Sequence, residues 1–178
     1  MSLDCSVAAL PFHVLQVIFS HVIDQQSSSV GLCRVSAVCK TWSEAVRSDP
    51  NWQHINIPKT KAGRFDDYSL KHLALRAKKQ LKTIKLHACH RLSTFCILTV
   101  LLNNKHLVQV SIVSCPQVAT YNLSYYLEVV LKQPRIHRCL EQICFTDTNS
   151  TISDLACRGH AEQEGIKVTC LDHNMLAG

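Results

Sequence analysis

A chain of 178 residues that is 47% hydrophobic and 18% charged can build one substantial core, which excludes wholesale disorder; five Gly and five Pro exclude collagen-like and low-complexity chains. The net charge of +6 permits an acidic partner without requiring one. Ten Cys without a single Cys-x-x-Cys spacing suit neither a small disulfide scaffold nor a zinc finger.

They read as reduced, mostly buried thiols, which places the chain in a reducing compartment, cytoplasm and/or nucleus. Asp4 stands before the first apolar run with no basic stretch, so no secretory signal is expected. The longest apolar stretch, Phe95 to Leu102, is too short to cross a bilayer, so no membrane is expected as a partner.

In chain order, Pro11 opens a helix on which Val14, Leu15, Ile18, Phe19 and Val22 form one apolar stripe. Asp24 to Gly31 is polar, ends in Gly and reads as a loop. A second helix carries Leu32, Val35, Val38, Cys39, Trp42, Ala45 and Val46, and Pro50 stops it. Two such helices hold more apolar surface than they hide from water. Either the rest of the chain or a partner protein must cover the remainder.

The ordered set Leu10-Pro11, Val14-Leu15, Ile18-Phe19-Ser20, Val38-Cys39-Lys40-x-Trp42 and Asp49-Pro50-x-Trp52 resembles the F-box motif over roughly residues 8 to 57. Two departures stand out. His13 sits where that family commonly has an acidic residue, and the loop at Gln25 to Gly31 is longer than usual. The resemblance implies docking onto the Skp adaptor of a cullin–RING ubiquitin ligase. The residues it implies for that contact are Leu10, Pro11, Val14, Leu15, Ile18, Phe19, Val38, Cys39 and Trp42.

Beyond residue 50, Leu81 to Leu92 aligns with Leu107 to Val118 at a constant offset of 26, matching Ile84 to Val110, Leu86 to Ile112 and Cys89 to Cys115. Leu140 to Phe145 is a third copy, displaced by 33 residues from the second, with Thr148 at the Cys position. Trp52 to Ile57 reads as an opening strand, and Ile166, Val168 and Cys170 as a closing one. Between the strands the period changes to that of a helix. Leu70, Leu73, Ala74 and Ala77 form one stripe, capped by Asp66 or Asp67. Leu98, Leu101 and Leu102 form the next, after Ser93 and Thr94. Leu123, Tyr126, Leu127, Val130 and Leu131 form a third, and Asp154 to Glu164 a short last helix ended by Gly165.

This pattern resembles the cysteine-containing leucine-rich repeats that often follow an F-box. The expected fold is therefore α/β: a helical F-box module over residues 1–50, then a short leucine-rich-repeat solenoid of alternating parallel strands and helices over residues 51–178. In such a strand Leu81, Ile84, Leu86 and Cys89 point inward, and the residues between them point to an open concave face. That face would show His54, Asn56, Thr83, Lys85, His87, Gln109, Ser111, Val113, Gln142, Cys144 and Thr146. It is polar with little charge, and open solenoid faces hold protein partners. A solvated face without a ligand is the bland alternative.

Other constellations point to structure. His87, Cys89 and His90 lie close in sequence, but in the repeat Cys89 faces inward and His87 outward, so no metal is expected. Cys139, Cys144 and His137 have no nucleophile beside a base on a defined turn. Arg76, Lys78, Lys79, Lys82, Lys85 and Arg91 form a basic run without interleaved aromatics, which reads as a solvated helix end and not as a nucleic-acid site. No catalytic residue and no cofactor are expected. The expected function is substrate recognition in an SCF-type ubiquitin ligase, with the Skp adaptor, the cullin scaffold and a target protein as partners. The alternative is a repeat scaffold with no ligase role.

Overall fold

The computed structural model describes residues 10–24, 28–47, 49–118, 139–147 and 166–172. Three helices come first: α1 (Phe12–Asp24), α2 (Ser28–Ser36) and α3 (Lys40–Ala45). The Pro11 carbonyl starts α1 by accepting from Val14 and Leu15 N–H at 3.0 and 3.1 Å. Two expectations are corrected here. The segment Ser28 to Gly31 is the first turn of α2, not loop. The second helix is also broken: its turn closes at Ala37 and Val38, and Cys39 is fully extended, with φ −161° and ψ 172°. An unbroken helix would carry Trp42 onward along one axis. The break turns α3 back, so that Trp42 meets Phe19 edge-on, with ring centroids 5.2 Å apart at 66°.

Past α3, Val46 is buried and Asp49 caps a single 3-10 turn, Pro50–Gln53, through the Asn51 N–H at 2.8 Å. That turn carries Trp52 inward. Its indole N–H donates to the Val46 carbonyl at 2.6 Å, and the Arg76 guanidinium lies 5.3 Å from its ring centroid.

Five parallel strands follow in sequence order: β1 (His54–Ile57), β2 (Thr83–His87), β3 (Gln109–Val113), β4 (Gln142–Asp147) and β5 (Lys167–Asp172). The residues aligned at offsets of 26 and 33 are register partners: Ile84 with Val110, Leu86 with Ile112, and Val110 with Ile143. Every strand begins with the same backbone bond. The carbonyls of Gln53, Lys82, Val108 and Glu141 accept from Lys82, Val108, Glu141 and Lys167 N–H, each at 2.8 Å.

A second 3-10 stretch, Lys59–Arg64, and α4 (Asp67–Arg76) connect β1 to β2, and α5 (Thr94–Asn103) connects β2 to β3. Asp66 caps α4, accepting from the Ser69 N–H and hydroxyl at 2.9 and 2.7 Å; those bonds hold its carboxyl below the usual range. Asp67 then binds both the N–H and the hydroxyl of Ser93, the cap of α5, at 2.8 and 2.6 Å, which ties the two helix starts together. The buried stripe of α5 is Cys96, Ile97, Val100 and Leu101, whereas Leu102 is exposed and Leu98 half-buried, so the expected stripe was one turn-face off. The stripe expected at Leu123 to Leu131 and the last helix, Asp154 to Glu164, lie outside the described residues, as does Thr148.

The inward residues of the strands are sealed. Leu81, Ile84, Leu86, Cys89, Leu107, Val110, Ile112 and Cys115 are all buried, in one cluster with Leu15, Phe19, Leu32 and Trp52. The core is therefore continuous from the helices to the sheet. Ala88 and Ser114, 26 residues apart, both adopt left-handed φ (56° and 54°), and each is followed by a buried Cys whose thiol points at the carbonyl two residues back. The repeat thus extends to the turns that end β2 and β3.

After α4, Lys78 and Lys79 both have left-handed backbone, φ 52° and 62°. A residue with a Cβ is strained there, and glycine is the usual helix-terminating choice. Replacing either lysine by Gly is expected to stabilise the chain by about 1 kcal/mol, seen as a higher denaturation midpoint. A lowered midpoint would contradict this account of the turn.

Candidate functional site

Two surfaces collect the residues singled out from the sequence. The first lies on the N-terminal helices. Leu15 and Phe19 are each 1% exposed and belong to the chain's own core. Their expected role as direct partner contacts is corrected on that ground: they hold the helices together. Leu10, Val14, Ile18, Cys39 and Trp42 are half-buried, while Pro11 is exposed. The apolar side chains that reach the surface are Phe12 (51% exposed), Val17 (59%) and Val38 (59%).

Sequence reasoning assigned Val38 and missed Phe12 and Val17. Both are apolar residues that the core-facing stripe leaves over, and that is the signal that would have found them. The Val17 carbonyl is additionally fastened by the Ser20 hydroxyl at 2.8 Å and His21 Nδ1–H at 2.9 Å, both of which donate to it. The Trp42 indole nitrogen is buried without a hydrogen-bond partner. This helical surface thus has apolar side chains in water and an indole N–H with its bond unmade.

The second surface is the polar face of the sheet. His54, Thr83, Gln109 and Gln142 are register partners in one row across four strands. They pair off within it: His54 Nδ1 and Thr83 Oγ1 share a hydrogen bond at 2.9 Å, and Gln109 Nε2–H donates to Gln142 Oε1 at 2.8 Å. The next row holds Asn56, Lys85, Ser111 and Cys144, of which Asn56 and Lys85 are exposed. His87 partners Val113 at the far end, where Val113 is buried. Of Thr146 only the backbone, in β4, is described. Partial burial first, then the Lys82 and Lys85 charges, push the His54 pKa down, so its imidazole is neutral near pH 7. Among the described residues the face therefore offers neutral hydrogen-bonding groups with two cations, Lys85 in the middle and Lys167, the register partner of Gln142, on β5.

Two thiols behind this sheet, Cys89 and Cys96, hold their protons more tightly than a free cysteine. The hydrogen bond shared with Cys115, and then burial, push Cys89 well up. Burial, with Asp67 close by, pushes Cys96 up to about 11. His87 is half-buried, His90 exposed and Cys89 sealed, and among the described residues no three His, Cys, Asp or Glu side chains are grouped to hold a metal. Cys139 is exposed and Cys144 half-buried; His137 lies outside the described residues. The basic run is divided among separate places: Arg76 over Trp52, Lys78 and Lys79 beside α5, Lys85 on the sheet face and Arg91 at a bridge with Asp66. Among the described residues no helix is long and apolar enough to cross a membrane.

Comparison with known proteins bears on the first surface. Residues 7–58 match the F-box-like family, a span that holds α1, α2, α3 and β1. An 88-residue stretch is 27% identical to "F-box protein SKIP14" of Arabidopsis thaliana; it takes in 49% of this chain and 19% of that protein. The chain thus spans about a fifth of the length of the curated relative it matches. An F-box-like domain at residues 7–58 therefore precedes and joins the parallel sheet.

Proposed function

We propose that this chain is a non-catalytic receptor subunit of an SCF-type cullin–RING ubiquitin ligase. The observation that carries the reading is the exposure of Phe12 and Val17 on α1 and of Val38 in the turn after α2, within the F-box-like span, while Leu15, Phe19, Leu32 and Val35 beside them are buried in the chain's own core. Exposed apolar anchors beside half-buried ones are the usual centre of a protein interface. On this reading the Skp adaptor covers Leu10, Pro11, Phe12, Val14, Val17, Ile18, Val38, Cys39 and Trp42. Leu15 and Phe19 support those residues from beneath.

The sheet and its helices are on this reading a short leucine-rich-repeat solenoid, with residues 1–50 as the docking module and 51–178 as the receptor. The in-order parallel strands and the twice-repeated turn at Ala88 and Ser114 support it. His54, Asn56, Thr83, Lys85, His87, Gln109, Ser111 and Gln142 would meet the target protein. The work is positional: tethering raises the target's effective concentration near the ubiquitin-charged carrier. No side chain forms a covalent intermediate, no cofactor takes part, and the site of action is cytosolic or nuclear.

The test is a reconstitution with adaptor, cullin–RING module and charged carrier, supplied with proteins that co-purify with the intact chain. At least one of them is expected to gain ubiquitin only when this chain is present. If the adaptor is captured and no co-purified protein is modified, the chain is a scaffold without a ligase role.

A further inference from the structure

A cleft of about 540 Å³ lies between α4 and α5, on the helical side of the sheet. That volume is in the range of small-molecule sites. Its walls include Ala74, Leu75 and Val100, and its rim carries Lys71, Lys78 and Lys79; among the described residues no acidic side chain lines it. Leu75 is exposed. So the cleft has an apolar body, with Lys78 and Lys79 just past the end of α4 and Lys71 about two helical turns before them.

Two further features describe its walls. Lys78 and Lys79 hold left-handed backbone at consecutive positions, where glycine would relieve the strain and lysine supplies the charge. Asn104, 3% exposed, is also part of the lining. Its Nδ2 donates to the Val100 carbonyl at 2.7 Å, while its Oδ1 has no hydrogen-bond partner. That oxygen is closed off from solvent, so Asn104 fixes the wall at the end of α5 and makes no bond to an occupant.

We propose that this cleft binds a small amphiphilic anion: a carboxylate, sulfonate or phosphate ester on an apolar body. Lys78 and Lys79 hold the anionic head, Ala74, Leu75 and Val100 take the apolar body, and Lys71 adds a longer-range attraction. The site is remote in kind from the adaptor and target surfaces, since it faces neither and uses neither set of residues.

The experiment titrates the full chain with decanoate, and with decanol as the uncharged counterpart, while following the methyl resonances of Ala74, Leu75 and Val100. Decanoate is expected to shift them saturably below about 1 mM, and decanol to bind at least about tenfold more weakly. The double variant Lys78→Gln/Lys79→Gln alters only exposed side chains, and it is expected to weaken decanoate about tenfold while leaving the fold intact. Ala74→Trp, which fills the cleft, is expected to abolish binding with an unchanged circular dichroism spectrum. Equal affinity for decanoate and decanol, or retention in the lysine double variant, would overturn the proposal. So would shifts caused by a polyglutamate peptide and not by decanoate, which would assign the cleft to an acidic protein segment.

Discussion

Trp52→Ala is expected to lower folding stability by about 3–5 kcal/mol, measured as the shift in a urea or guanidinium denaturation midpoint. Three losses combine. The indole is almost fully buried, and its removal leaves a cavity where the helical end meets the sheet. The Val46 carbonyl loses the 2.6 Å bond from the indole N–H, and a buried unpaired carbonyl costs about 1–3 kcal/mol by itself. Arg76 loses the ring beneath its guanidinium. With native stabilities near 5–15 kcal/mol, this single change removes a large share of the total. Trp52→Phe keeps most of the ring and loses the hydrogen bond, so its cost is expected at about 1–3 kcal/mol. A loss under about 1 kcal/mol for Trp52→Ala would mean that Trp52 does not join the two parts.

Val38→Asp together with Val17→Asp is expected to reduce capture of the Skp adaptor by at least about a hundredfold, a change of about 2.7 kcal/mol. Both side chains lie mostly in water, so the free chain should keep its denaturation midpoint within about 0.5 kcal/mol. On binding, each carboxylate would have to be stripped of water against an apolar surface. Leu15→Ala gives the contrasting result: stability falls by about 2–5 kcal/mol, and capture falls only as far as the folded fraction does. Capture by the double Asp variant at the level of the unaltered chain would remove the helical surface from the proposed interface.

The strands were legible because they obey a simple alternation. Ile84, Leu86, Val110 and Ile112 alternate with polar residues, and their shared spacing foretold the register partners. A cap for α4 was legible as Asp66 or Asp67, short polar side chains just before a helical stripe, and Asp66 is the one that caps it; Ser93, legible only as preceding the next stripe, caps α5. The break at Cys39 was not. Val38 and Cys39 continue the helical spacing of apolar residues, and nothing local announces an extended residue there; the contact of Trp42 with Phe19 accompanies it. The left-handed turns at Ala88 and Ser114 were hidden for a related reason. Neither is Gly or Asn, so the usual signal of positive φ was absent while the backbone adopted it.

The helical surface was legible in part. The apolar spacing of α1 correctly marked an amphipathic helix, but spacing cannot tell which apolar residues the chain keeps for itself. Leu15 and Phe19 are consumed inside, and Phe12 and Val17 are left outside. That division depends on where α2 and α3 lie against α1, a tertiary fact. The sheet face was easier, since alternation along a strand assigns sides directly.

The unbroken apolar seam through Val46, Trp52 and Ile55 has a mechanical consequence. Among the described residues no gap in that packing separates the helical end from the sheet, so the contacts couple the two like one lever. Whatever rests on the strands inherits its heading from whatever grips the helices. Its attitude in space is then set by side-chain packing, where a flexible tether would leave it to wander.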